Sequence, residues 1–116
     1  MTEQAIEHRG SCHCGAVQVT IRDEPFERGE CNCSICRRLG SLWHYPHPDN
    51  VTVEGAEVAY RQGDCMLDLW HCPVCACTTH WTSVDPSYPR MGVNLRMFDP
   101  ALWRDLPTRF IDGASF

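Results

Sequence analysis

Period-two alternation of apolar and polar positions recurs along most of this chain and predicts a protein built from short strands. The cleanest run sets Val17, Val19 and Ile21 against Gln18, Thr20 and Arg22, the pattern of a strand with one buried face. A candidate edge strand over residues 5–10 precedes it, and Asp23-Glu24-Pro25 ends it. Ser41 to Tyr45 reads as extended and aromatic, stopped by Pro46 and Pro48. Val51 and Val53 mark another strand, and Val58 to Arg61 a further one beyond the Glu54-Gly55-Ala56 turn. Cys65, Leu67, Leu69 and His71 alternate with Met66, Asp68 and Trp70. Thr78 to Val84 is the next strand, then Met91, Val93, Leu95 and Met97 alternate with Gly92, Asn94, Arg96 and Phe98. Thr108 to Ile111 closes the series.

Helical signals are few. Arg37-Arg38-Leu39-Gly40 fits one turn capped by glycine. Asp99-Pro100 pairs an N-cap acid with proline at the first helical position, predicting one or two turns over residues 100–105. No repeat interrupts the series. The expected fold class is mostly β: one domain over residues 1–116, of short strands, with a short helix near the C-terminus.

Charge and composition narrow the function classes. The formal charge is −5 and the only basic cluster is Arg37-Arg38, so nucleic acid is not an expected partner. No apolar run reaches the roughly 20 residues of a membrane helix, and the N-terminus carries no secretory signal. The expected location is the cytoplasm. In that reducing setting the nine cysteines read as metal ligands or catalytic thiols rather than as a disulfide framework.

Seven of them matter by position. Cys12 and Cys14 form one knuckle, Cys72 and Cys75 a second, each at a strand end. Together they supply the four thiolates of a closed structural zinc site. Cross-linking segments so far apart in sequence contributes directly to folding, on the order of 10 kcal/mol in zinc-finger peptides. Cys31, Cys33 and Cys36 supply three thiolates and no evident fourth. Either His44, His47, His71, His80, Cys65 or Cys77 closes that second site, or a position stays open for a substrate thiol or water. An open zinc lowers the pKa of a bound thiol and polarises a carbonyl. Two Zn²⁺ per chain are expected. Arg37 and Arg38 stand beside the triad to offset thiolate charge or hold a carboxylate. Trp43 and Tyr45 follow closely enough to wall a pocket, with Arg37 and Trp43 the candidate thiol-substrate contacts. His44 and His80 are the candidate acid or base. Cys65 and Cys77 read as buried small hydrophobes.

Three stretches carry a family resemblance: G-S-C-H-C-G-A-V at 10–17, C-N-C-S-I-C-R-R at 31–38 and H-C-P-V-C-A-C-T-T-H-W at 71–81. They resemble the glutathione-dependent formaldehyde-activating enzyme family, as do the closing D-P-A-L and I-D-G-A segments. The resemblance implies a β-tent fold of short antiparallel strands, shared with methionine sulfoxide reductase B and a Rab-interacting chaperone. It implies a structural zinc on Cys12, Cys14, Cys72 and Cys75, and a catalytic zinc on Cys31, Cys33 and Cys36. The family usually has glycine after its last motif cysteine, where this chain has Ala76. If that position needs positive φ, alanine costs about 1 kcal/mol. The activity implied is reversible addition of a glutathione-like thiol to an aldehyde, a carbon–sulfur lyase reaction run in either direction. The alternatives are a non-enzymatic zinc-stabilised binding module, or a methionine sulfoxide reductase-like enzyme using Cys65 or Cys77.

Overall fold

A computed structural model describes residues 6–61 and 66–115. Among the described residues, ten strands and two one-turn α-helices follow in order. They are β1 (His8–Ser11), β2 (Gln18–Ile21), β3 (Arg28–Cys31), α1 (Cys36–Leu39), β4 (Trp43–His44), β5 (Val51–Glu54), β6 (Val58–Arg61), β7 (Leu67–His71), β8 (Thr78–Ser83), β9 (Met91–Asn94), α2 (Pro100–Trp103) and β10 (Thr108–Ile111). The mostly β class expected from the alternation holds. Two sheets result: a three-stranded one in the order β1-β2-β5, and a seven-stranded one in the order β10-β3-β4-β9-β8-β7-β6.

Three expectations change. Arg28–Cys31 is a strand that no alternation announced; its Arg-Gly-Glu-Cys sequence is carried by pairing with neighbours on both sides. One of those neighbours, β10, runs parallel to it, so the sheet is not wholly antiparallel. The strand expected to continue to Phe98 stops at Asn94, where the Asn94 side chain accepts from Arg96 N and opens a 3₁₀ turn over Leu95–Met97. A side chain that hydrogen-bonds its own backbone two residues on competes with the ladder. The Asp99 cap behaves as its sequence foretold, accepting from Ala101 N at 2.8 Å. Cys65 falls outside the described residues.

The core lies between the sheets. Val19, Ile21, Met91, Val93 and Phe98 form one buried cluster, with Val19 opposite Val53 and Ile21 opposite Val51 in the small sheet. Residues directly opposite across paired strands point to one face. His44, Val93, His80 and Trp70 therefore share a face across β4, β9, β8 and β7, and Val93 identifies it as the core face. Trp43, Asn94, Gly92, Trp81 and Leu69 share the other.

Two polar groups are set into that core. His44 Nε2 donates to the Asp23 carboxylate at 3.0 Å, tying β4 to the end of β2. In β8, Thr79 is the extra residue of a bulge, since Trp70 opposes His80 and His71 opposes Thr78. The bulge turns Thr79 toward His80, so its hydroxyl donates to Glu57 and accepts from His80 Nδ1 at 2.9 Å. The His80 ring stacks on Trp70 with centroids 6.1 Å apart.

Burial lowers His80 to about 4 from 6.5 and raises Glu57 above its ordinary range. The unfolded chain thus takes a proton on His80 between pH 6.5 and 4 while the folded chain does not. Stability from this site is present above pH 6.5 and is lost as pH falls toward 4; Glu57, with the opposite shift, offsets part of the loss. Urea unfolding at pH 7 and pH 5 should show the wild type losing on the order of 1 kcal/mol more than His80→Gln. Equal losses would contradict the buried, neutral imidazole.

Candidate metal centres

The first cysteine group joins the two sheets at one end. Cys12 follows β1 and Cys72 follows β7, both buried, and the second sulfur of each knuckle, Cys14 and Cys75, returns to meet them. Sγ of Cys12, Cys14, Cys72 and Cys75 all lie within 4.8 Å of one another; Cys14 is 3.6 Å from both Cys12 and Cys72. Backbone amides point at these sulfurs. Val17 N donates to Cys12 at 3.3 Å and Val74 N to Cys72 at 3.4 Å. The amides of Cys14 and then Cys77 hold the Cys75 thiol down at about 5. Donors aimed at sulfur stabilise thiolate, which is the form that binds a metal.

The second knuckle turns through Ala76, whose φ is 65° and whose N–H donates to Cys72 O at 2.9 Å. A left-handed conformation is thus imposed on a residue with a Cβ. Cys77 lies beside Cys75 and receives the His13 amide, but it is not one of the four converging sulfurs.

The second group lies on the opposite face of the large sheet from the core. Cys31 ends β3 and Cys36 begins α1, which Gly40 terminates at φ 65°. The three sulfurs of Cys31, Cys33 and Cys36 lie within 4.8 Å of one another, and among the described residues no fourth histidine, cysteine or carboxylate joins them. Cys36 N donates to Cys33 Sγ at 3.4 Å, and the Trp43 indole N–H donates to Cys36 Sγ at 3.4 Å. Burial pushes the Cys36 thiol up to about 12; the Trp43 donor opposes the rise and the Cys33 and Cys31 sulfurs add to it. Three crowded sulfurs cannot all carry charge without a cation. An all-sulfur set without carboxylate suits a soft or borderline ion such as Zn²⁺, not Mg²⁺ or Ca²⁺.

A cleft of about 460 Å³ opens beside this triad. Its lining includes Cys31, Cys36, Arg37, Ser41, Arg96, Thr108, Phe110, Ile111 and Asp112. Arg96 donates to Gly40 O and covers the Trp103 ring at 5.4 Å. Arg28 is bound to Thr108 Oγ1 at 3.0 Å. The Arg37 side chain stands exposed, with no hydrogen-bond or ion-pair partner among the described residues.

The site residues named from sequence divide sharply. The seven cysteines converge in their two groups, and Arg37 reaches the cleft. Trp43 is 1% exposed, so it supports Cys36 from behind rather than walling a pocket. His44 and His80 do not face the triad. Alternation puts Trp43 beside Cys36 and turns His44, the next residue, to the core, and His80 shares that core face through Val93. Their nitrogens bond Asp23 and Thr79 instead.

Sequence reading missed what the C-terminus does here. A Cβ on Gly113 would lie 2.4 Å from Cys31 Sγ. Asn32, inside the C-N-C motif, clasps that turn: its Nδ2 donates to Asp112 Oδ1 and its Oδ1 accepts from Ala114 N, both at 2.9 Å. The Asp112-Gly113 pair directly follows β10. Its contact with Cys31 depends on the parallel pairing of β10 with β3, which no local pattern encodes.

A family model for the glutathione-dependent formaldehyde-activating enzyme matches residues 7–106. A curated Halomonas elongata protein, named as a candidate enzyme of that kind, is 30% identical over 108 residues, covering 84% of this chain and 67% of its own. A crystal structure of a Rhodobacter sphaeroides protein matches with a TM-score of 0.69 at 28% identity, covering 87% of this chain and 99% of that one.

Two substitutions probe the centres. Ala76→Gly relieves the positive φ, partly offset by a freer unfolded chain, and should raise the free energy of unfolding by roughly 0.5 kcal/mol; a loss of stability would contradict the strain. Gly113→Ala should displace Cys31 and weaken metal at the triad about tenfold while leaving the four-cysteine group unchanged. Competition with a chromogenic chelator reads both affinities, and equal weakening at both would refute the local contact.

Proposed function

The chain belongs to the glutathione-dependent formaldehyde-activating enzyme family, and on that footing we propose that it promotes reversible addition of a small, glutathione-like thiol to an aldehyde. Residues 1–116 act as one zinc domain in this reading. Zinc on Cys12, Cys14, Cys72 and Cys75 is structural, and zinc on Cys31, Cys33 and Cys36 serves the chemistry. The observation that carries it is the convergence of three sulfurs, without a fourth protein ligand among the described residues, at the edge of a cleft. When bound there, zinc supplies Lewis acidity that favours the thiolate form of a thiol at neutral pH.

The rest of the step belongs to the chain's own residues. Trp43 N–H holds Cys36 in place from the buried side. Asn32 and the Gly113 turn hold Cys31 and Cys33 from the other. Arg37, unpaired and in the cleft wall, is placed for a carboxylate of the thiol, where its planar fork suits two-point contact. Phe110 and Ile111 offer the apolar wall. In the addition, the thiol sulfur bonds to the carbonyl carbon, the carbonyl π pair moves to oxygen, and oxygen takes the proton that sulfur gave up. Nothing is oxidised or reduced. With His44 and His80 turned to the core, that proton passes through the water of the open cleft. This reading places the chain in a reducing compartment such as the cytoplasm, with all eight described cysteines free.

Exchange NMR on glutathione, formaldehyde and their adduct tests the proposal. Chain carrying two zinc ions should accelerate exchange at least about tenfold over the buffer reaction. Cys33→Ser should keep one ion and lose the acceleration. Exchange no faster with the fully loaded chain than in buffer would refute the proposed reaction.

A further inference from the structure

Among the described residues, one buried side-chain polar atom has no hydrogen-bond partner: Ser41 Oγ, in the wall of the cleft. Ser41 is 3% exposed. It stands in the cleft lining beside Cys31, Cys36, Arg37 and Arg96. The backbone around it is pinned on both sides. Gly40 O accepts from Arg96 Nε, Leu42 N donates to Asn94 Oδ1 at 3.3 Å, and Leu42 O accepts from Leu95 N at 2.7 Å. Asn94 is itself anchored, donating to Thr78 O at 2.9 Å. The backbone that carries the hydroxyl is thus fixed in the cleft wall, while the hydroxyl's hydrogen-bonding capacity is unused.

A buried hydroxyl without a partner costs free energy. Alanine would remove that cost and fill nearly the same volume. A polar group that destabilises the free protein and lines a cleft is accounted for by a polar atom that arrives with the ligand. We propose that Ser41 is a catalytic residue of this cleft, its Oγ–H donating to the oxygen of the aldehyde as the thiol adds. The assignment rests on the proposed thiol–aldehyde reaction. Negative charge grows on that oxygen as the sulfur–carbon bond forms and the carbonyl π bond breaks. A donor held ready for developing charge is worth more in the transition state than in the ground state. Rotation about χ1 among its staggered positions carries Oγ to the cleft side while the backbone stays anchored. The oxygen then takes the thiol's proton and leaves as the hydroxyl of the adduct, and Ser41 keeps its own. No imidazole competes for the role, because both histidines of the neighbouring strands face the core.

Three measurements on zinc-loaded wild type and Ser41→Ala decide it: thermal midpoint, glutathione affinity without aldehyde by calorimetry, and adduct exchange by NMR. Ser41→Ala should melt at or above the wild-type temperature and bind glutathione within about twofold. It should exchange adduct roughly 10- to 100-fold more slowly. Unchanged exchange would overturn the assignment and leave the proposed reaction standing. So would a lower thermal midpoint, which would make the hydroxyl structural, or weaker glutathione binding, which would give it to the thiol. A wild type that fails to accelerate exchange at all would remove the reaction and this assignment with it.

Discussion

Crowded thiols cannot all ionise, and the structure places seven of them in two groups whose sulfurs lie within 4.8 Å. Each negative sulfur raises the cost of charging the next, so the clusters stay partly protonated until a cation balances them. Much of the architecture is arranged around that constraint. One group joins β1 to β7 and so fastens the small sheet to the large one. The other fastens β3 to α1 on the outer face. Backbone amides aimed at Cys12, Cys72 and Cys75, and an indole at Cys36, favour the charged form.

The large sheet separates structure from chemistry. Its core face carries Val93 and Met91 against Val19 and Ile21, and accommodates two histidines only by giving each a partner. Its outer face carries Trp43, the cysteine triad and the cleft. A single step along β4 divides the two, with Trp43 on the outer side and His44 within. This explains why two chemically attractive histidines stand apart from the site, and why the hydroxyl at the head of that segment becomes the more telling group.

Legibility from sequence followed the range of the physics. Short-range patterns transferred well: the Val17–Ile21 alternation, the Asp99-Pro100 cap and the cysteine spacings each describe interactions a few residues apart. Ala76 was legible as an anomaly, and its φ of 65° is the physical content of that anomaly. Strand β3 was hidden because Arg-Gly-Glu-Cys owes its extension to partners far along the chain, above all β10. For the same reason the clasp of Asn32 on the Gly113 turn could not be read. The histidines were misplaced because the parity of a strand residue is known only once its pairing is known.

The central claim is that the triad leaves one coordination position for the substrate's sulfur. Cadmium-113 NMR on the chain loaded with two cadmium ions addresses each centre separately, because the shift follows the number of sulfur ligands. The account predicts two resonances, one in the four-sulfur region and unaffected by ligand. The other, absent in Cys33→Ser, should lie in the three-sulfur region and move to the four-sulfur region when glutathione is added. A second resonance already at the four-sulfur position, or one that glutathione leaves in place, would contradict it.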